Sequence, residues 1–381
     1  MTMLRFQIPK AEFEQRQKTV RKKLIESGLD ALLAVSGYAE RDGDVCYLCG
    51  HKNAFPYSPR SDTISGLGYS AFLLLADGKT TLISPLGFQQ DFAIGVDTAK
   101  TGLNFAEGLI NAIIGSHLEK AKLGIAGGDI VPVAYVDEIK RAFPDLTLIF
   151  VDGLVAEERM IKSETELELL RQASRVADKA VRAAIESIKP GITESAIGSV
   201  ARKAAMEAGA DYVVRDRVQS GAEIGGLRWP FASQKKVRRG ELVSIDFVGW
   251  VNRYGFDILR IGCVGRPSKE QRMLLEGAGE ATDAMISALT DRSSIEKAVS
   301  LLRTVERTGM IVEPFGHGIG LDIVENPYLL PGVKGVVKKN MVLCVEPTVR
   351  FGKLSASVEN EVIVTESKPE VMTSLPVDFS R

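Results

Sequence analysis

The order of apolar and polar residues divides the chain into two textures. Over residues 1–153, helical and short extended stretches alternate. Residues 11–26 have helical composition and stop at Gly28, the residue type that most easily turns left-handed after a last helical turn. Asp30-Ala-Leu-Leu-Ala-Val35 predicts a short buried strand. Residues 71–76 and 79–84 predict a hairpin around Asp77-Gly78, a pair suited to the positive φ angles of a type I′ turn. Helices are expected near 104–118 and 132–143, on either side of Lys122-Leu-Gly-Ile-Ala-Gly127, and Leu146-Thr-Leu-Ile-Phe-Val151 reads as a further strand. These elements predict a mixed α/β domain.

A boundary is expected near 153–162, giving one domain over 1–153 and a second over 154–381. Ser163-Glu-Thr-Glu166 is a capping box, in which Ser163 and Glu166 satisfy each other's free backbone amides. It opens a helix to about Ile188, which Pro190-Gly191 breaks. Thr193 can cap a second helix that runs to Ala208 and ends before Gly209. From Glu241 the texture turns to strands, Leu242-Val-Ser-Ile-Asp-Phe-Val248 and Ile258-Leu-Arg-Ile-Gly-Cys-Val264. A helical block over 268–308 follows, then strands again from Met341 to Thr365.

Composition narrows the function classes. The 381 residues are 45% hydrophobic, enough for a large core that needs no disulfide or structural metal to fold. Lys+Arg is 48 against 49 for Asp+Glu, a formal charge of −1, so neither nucleic acid nor a membrane surface is the expected partner. No apolar run approaches the ~20 residues of a membrane span. The N-terminal residues lack a signal-peptide pattern, and four cysteines make no disulfide scaffold, so a reducing cytoplasm is the expected location.

Candidate chemistry gathers in the second half. The chain holds three histidines, His51, His117 and His317, and only His317 lies there, inside Pro314-Phe-Gly-His-Gly-Ile-Gly-Leu-Asp322. Taken alone, this nonapeptide reads equally as a plain Gly-rich turn. Asp246, Asp257, Glu346 and Glu359 each sit in apolar strand sequence, where an unpaired charge costs several kcal/mol. Four such acids with one imidazole are better explained by two divalent ions that offset their repulsion, with some carboxylates bridging. The oxygen-rich set suits Mn, Co, Fe or Zn. Two ions ~3.5–4 Å apart can share a hydroxide and polarise a carbonyl. Cys46 and Cys49 have redox-pair spacing but read as buried small residues in a strand. Cys344, two residues before Glu346, shares its strand face and reads as core packing or as a lining of the same site.

With these residues in view, the sequence resembles the superfamily of Xaa-Pro dipeptidase (prolidase), aminopeptidase P, methionine aminopeptidase and creatinase, whose catalytic domain has the pita-bread fold. Ile161-Lys-Ser-Glu-Thr-Glu-Leu-Glu-Leu-Leu-Arg-Gln-Ala173 is similar to the helix that opens that domain, and Lys189-Pro-Gly-Ile-Thr-Glu194 to its inter-helix turn. Ile245-Asp246 through Asp257-Ile-Leu-Arg260, Gly316-His-Gly-Ile-Gly320, Val345-Glu-Pro347 and Glu359 match the five metal-ligand positions in order. The resemblance implies an N-terminal creatinase-like α/β domain, then a pita-bread metallohydrolase. In it Asp257 and Glu359 would bridge, Asp246 would complete one metal, and His317 with Glu346 the other. Glu346 would also accept and donate the proton during cleavage of a C–N bond in a small peptide or other small molecule. A homodimer is the implied assembly.

Three departures accompany the match. Val324 and Arg228 stand where the family usually has histidines, and Ser357 where it has an arginine. Arg228 adds a charge suited to a substrate carboxylate. His51 and Arg60 fall in a loop that in dimeric members often reaches the neighbouring active site, against the plainer reading of His51 as an exposed loop residue. Non-peptide members of the fold remain alternatives: amidohydrolases like creatinase or ectoine hydrolase, or a metal-dependent lyase such as that for dimethylsulfoniopropionate. A non-catalytic binding module is the reading from another class.

Overall fold

Helix α1 (Lys10–Glu26) turns Phe13, Val20 and Leu24 inward and ends where Gly28 takes a φ of 68°. The structure, a computed structural model, describes residues 8–37, 41–53, 61, 63–85, 93–221, 224, 231–376 and 379–380. By internal contacts the chain forms two units, Met1–Arg159 and Met160–Arg381.

In the first unit, strand β1 (Ala31–Ser36) is buried along its whole length. Helix α2 (Gly43–Cys49) follows. Strands β2 (Ser70–Leu75), β3 (Thr80–Ile83) and β4 (Thr98–Lys100) lead to helix α3 (Phe105–Gly115), strand β5 (Lys122–Ala126), helix α4 (Val133–Ala142), strand β6 (Thr147–Phe150) and helix α5 (Gly153–Met160). The strands form one mixed sheet in the order β4-β3-β2-β1-β5-β6, with β1 antiparallel to β2 and parallel to β5. Two local expectations are corrected. The segment around Cys46 and Cys49 is a helix, not a strand: it closes on Gly50 at φ 72°, whose N–H bonds the Cys46 carbonyl. Every residue of α2 is buried, and a short run buried all round carries no period to separate the two states. The hairpin forms, but not with a type I′ turn. Of Asp77-Gly78 only Gly78 takes positive φ, and the bonds Gly78 N–H to Leu75 O and Leu75 N–H to Lys79 O close a three-residue loop with a G1 bulge.

The second unit opens with the expected capping box. Ser163 Oγ accepts from the Glu166 amide, Glu166 Oε2 accepts from the Ser163 amide, and helix α6 (Glu164–Ser187) follows. Thr193 caps helix α7 (Glu194–Glu207). Strands β7 (Tyr212–Gly221), β8 (Leu242–Val251) and β9 (Tyr254–Cys263) come next, then helices α8 (Lys269–Ser287) and α9 (Ile295–Ser300) with a short 3₁₀ turn over 301–304. The remaining strands are β10 (Met310–Glu313), β11 (Gly316–Gly318), β12 (Val342–Val345), β13 (Thr348–Phe351), β14 (Leu354–Ser357), β15 (Asn360–Ile363), β16 (Glu370–Val371) and β17 (Phe379–Ser380). They make three sheets, ordered β17-β9-β8-β7, β11-β12-β15-β16 and β10-β13-β14. Both β8 and β9 are buried at all ten positions, one face against helices and one inward. Val243, Ile245 and Phe247 pack with Ala177, Val181, Ile197 and Ala201 of α6 and α7. The alternate residues Ser244, Asp246 and Val248 therefore face the other way. Helices outside and sheets inside give the pita-bread arrangement. Among the described residues no helix is long and apolar enough to cross a membrane.

Candidate metal centre

The centre is assembled from one face of each of two sheets. On the first, Asp246 pairs across to Leu259 and Val248 to Asp257, so the period of two puts both aspartates on one face. On the second, His317 of β11 pairs with Cys344 of β12, and Cys344 with Glu361 of β15. Glu346 and Glu359, each two residues from a member of that row, follow on the same face. The sheets are tied where they meet. The Asp257 amide donates to Glu361 Oε1 at 2.9 Å, and the Glu359 amide to the Leu259 carbonyl at 3.2 Å.

His317 Nε2 lies 3.9 Å from Asp257 Oδ2 and 3.9 Å from Glu359 Oε1. Its Nδ1 is 2.9 Å from the Gly318 carbonyl. A carbonyl only accepts, so Nδ1 carries the proton and Nε2 offers its lone pair to the acids, the tautomer a metal ligand needs. Ligand atoms of His317, Cys344 and Glu359 lie within 4.8 Å of one another. Asp246, Asp257, His317 and Glu359 are all buried, whereas Glu346 retains some solvent contact.

Electrostatics show that the four acids share one site. Burial first, then the Asp246 charge, lifts Asp257 to about 7. Burial lifts the Glu359 carboxyl well above the carboxylate range, with Asp257, Glu346 and Asp246 adding repulsion. Glu346 is pushed up by burial of its carboxyl and by both aspartates. Burial drives His317 down, keeping the imidazole neutral, and drives the Cys344 thiol up. Two buried carboxylate oxygens, Asp246 Oδ1 and Glu359 Oε1, have no hydrogen-bond partner among the described residues. Unpartnered acceptors in a crowd of acids with a neutral imidazole fit divalent cations: the donors are hard oxygens with one nitrogen, and the missing element is positive charge.

Several supporting residues escaped the sequence. Arg217 of β7 pairs directly with Asp246 Oδ2, and Arg215 Nη1 lies 3.7 Å from the same oxygen. Glu361, lifted to about 8 by burial, takes the Ser174 hydroxyl and the Asp257 amide and so braces the ligand strands. Arg260, 1% exposed, donates to the carbonyls of Leu259, Glu359 and Leu375 and to Asn360 Oδ1. The last turn of chain is pinned with it: Thr373 Oγ1 donates to Asn360 Oδ1, and the Ser374 amide to Asp178 Oδ2. Removing one member of such a buried network leaves carbonyls unpaired. Arg260→Met is therefore expected to lose about 3 kcal/mol of stability, and urea unfolding with and without cation measures it.

The expected substrate residues fare differently. His51 is 2% exposed and follows α2 in the first unit, so the plain reading of an exposed loop histidine is corrected. Arg228 and Arg60 lie outside the described residues. Val324 is 41% exposed, and Ser357 is hydrogen-bonded to Thr348. His117 is exposed just past α3 at φ 56°.

Comparison with known proteins gives the family. The model of metallopeptidase family M24 matches residues 168–366. The chain belongs to metallopeptidase family M24. The creatinase/prolidase N-terminal domain matches residues 16–161. An Xaa-Pro dipeptidase of Pyrococcus furiosus is 30% identical over 228 residues, 58% of this chain and 66% of that relative's length, just under two thirds. A probable dipeptidase PepE of Mycobacterium tuberculosis is 27% identical over 369 residues, 92% of each chain. The solved prolidase of Pyrococcus horikoshii superposes with a TM-score of 0.80 at 23% identity, over 95% of this chain and 99% of that one, and shares the fold. Membership of M24 makes divalent metal ions the implied cofactor.

Proposed function

We propose that this M24 member is a dinuclear-metal hydrolase that cleaves a C–N bond in a small peptide, with Xaa-Pro dipeptides the first substrates to try. The observation that carries the reading is the convergence of His317 and four buried-strand acids, with two carboxylate oxygens left unpartnered. Asp246, Asp257, His317, Glu346 and Glu359 would hold the cations, which would supply Lewis-acid activation of the scissile carbonyl and of the attacking water. Glu346, the acid that keeps solvent contact, takes the proton from that water and returns it to the leaving nitrogen. His317 stays neutral and fixed by its Gly318 bond. The buried strands keep bulk water from Asp246, Asp257 and Glu359.

The names of the relatives, Xaa-Pro dipeptidase and probable dipeptidase, support a dipeptide as substrate. Val324 and Ser357 favour a second reading, hydrolysis of a smaller non-peptide amide, because neither supplies the imidazole or guanidinium used in peptide handling. Turnover of Xaa-Pro dipeptides, Xaa-Pro-Xaa tripeptides and small amides, with Mn or Co added, decides between them. Hydrolysis of Xaa-Pro dipeptides that a chelator abolishes is the expected result. Activity confined to amides would replace the peptidase reading, and no turnover with any substrate would end the hydrolase reading.

A further inference from the structure

Behind His317 lies an ion pair that the ligand pattern does not require. Lys162 stands one residue before the Ser163 cap of α6. Its Nζ is 3.4 Å from Glu325 Oε2, with 2% and 7% of the two side chains exposed. Charges so enclosed are costly to desolvate, and an uncharged pair of the same volume is often as stable or more so. Stability alone therefore does not account for them. Their surroundings do. The Lys162 amide donates to the Asn340 carbonyl, just before β12, so the ammonium springs from a fixed point between α6 and the sheet of His317. Both side chains lie against Gly320, where a Cβ would meet Glu325 Oε1 at 2.9 Å and Lys162 Cε at 3.1 Å.

From Glu325 the hold runs to the imidazole. Glu325 Oε1 accepts from the Asp322 amide at 3.0 Å. The Glu325 and Gly318 backbones pair in both directions, each amide donating to the other's carbonyl at 2.8 Å. The Gly318 carbonyl thus accepts from two donors, the Glu325 amide and His317 Nδ1. A neutral imidazole has one proton for its two nitrogens. Nε2 faces Asp257 Oδ2 and Glu359 Oε1, each at 3.9 Å, and these acceptors would draw the proton to Nε2 if Nδ1 lost its own. The ring would then have no lone pair to offer a cation. We propose that Lys162 and Glu325 are positioning residues for His317: their ion pair fixes the Gly318 carbonyl against the ring and so keeps Nε2 bare. The inference rests on the hydrolase reading for the use made of Nε2, but not for the tautomer itself.

The test is ring-nitrogen NMR of the full chain, labelled at histidine and held in chelator. The chain has three histidines, so the signals are few, and His317→Asn shows which belong to that ring. Wild-type protein is expected to carry the His317 proton on Nδ1. Lys162→Met should move it towards Nε2. So should the double variant Lys162→Met, Glu325→Gln, which removes both charges at nearly constant volume and leaves no unpaired buried charge to unfold the chain. In competition with a chelating dye, both variants should also bind Mn about 10–100-fold more weakly than wild type. The tautomer decides. The proposal is overturned if the wild-type ring carries its proton on Nε2, or if the folded double variant keeps it on Nδ1. Weaker Mn binding with the tautomer unchanged would overturn it too, since general loosening alone produces that result. Failure of the hydrolase reading would appear separately, as absent peptide turnover with a tautomer that still depends on the pair.

Discussion

Glu359→Gln is expected to abolish cation binding and lower turnover by on the order of 10³-fold, yet to raise the stability of the cation-free protein. Glu359 is 1% exposed, and its repulsion by three other acids is relieved only by positive charge or by a proton. Without cations, burial and repulsion favour the protonated form of Glu359 in the folded chain. A carboxyl raised in this way destabilises the folded state at neutral pH relative to an unshifted one. Glutamine has the same shape and no charge to suppress, so the cation-free variant escapes that cost. Thermal unfolding in chelator should therefore rank the variant above wild type, and excess Mn should reverse the order. A variant less stable than wild type in chelator would mean that the acids do not repel one another in the empty site.

The second large effect is a change in the sign of the pH dependence. In the cation-free protein Asp257 titrates at about 7 when folded, against 3.8 as its ordinary value. Between those values the folded state holds a proton that the unfolded state has lost, so stability is greatest at low pH and falls as pH rises to 7. A shift of about three units corresponds to on the order of 4 kcal/mol. Glu346 and Glu359 shift in the same direction, and Glu361, at about 8, extends the fall slightly further. His317, lowered by burial, opposes them with one proton below the ordinary histidine value. Cations reverse the slope, because only ionised carboxylates bind them and their stabilisation grows with pH. Urea unfolding from pH 4.5 to 7.5 should give falling stability in chelator and rising stability with Mn. Parallel slopes would contradict a cation-dependent role for these acids.

Elements with local chemical signatures were legible in the sequence. Ser163 and Glu166 announced α6, Thr193 announced α7, and Pro190-Gly191 the turn between them. The four candidate acids were legible because an acid inside apolar strand sequence needs a reason to be there. Strand β7 was not, since nothing in Arg215, Asp216 and Arg217 tells which strand they pair with. Arg217 belongs to the centre only through its register with Asp246, a non-local fact. The role of Glu361 as a brace appears only when Ser174 is brought alongside from α6. The α2 segment was misread for the opposite reason, a uniformly buried run that carries no pattern.

The bonds from Thr373, Ser374 and Leu375 have a practical consequence. Thr373 and Leu375 share their partners, Asn360 and Arg260, with the backbone that presents Glu359. An affinity tag or surface linkage that peels this short stretch away would leave Arg260 and Asn360 short of partners beside the backbone that carries Glu359.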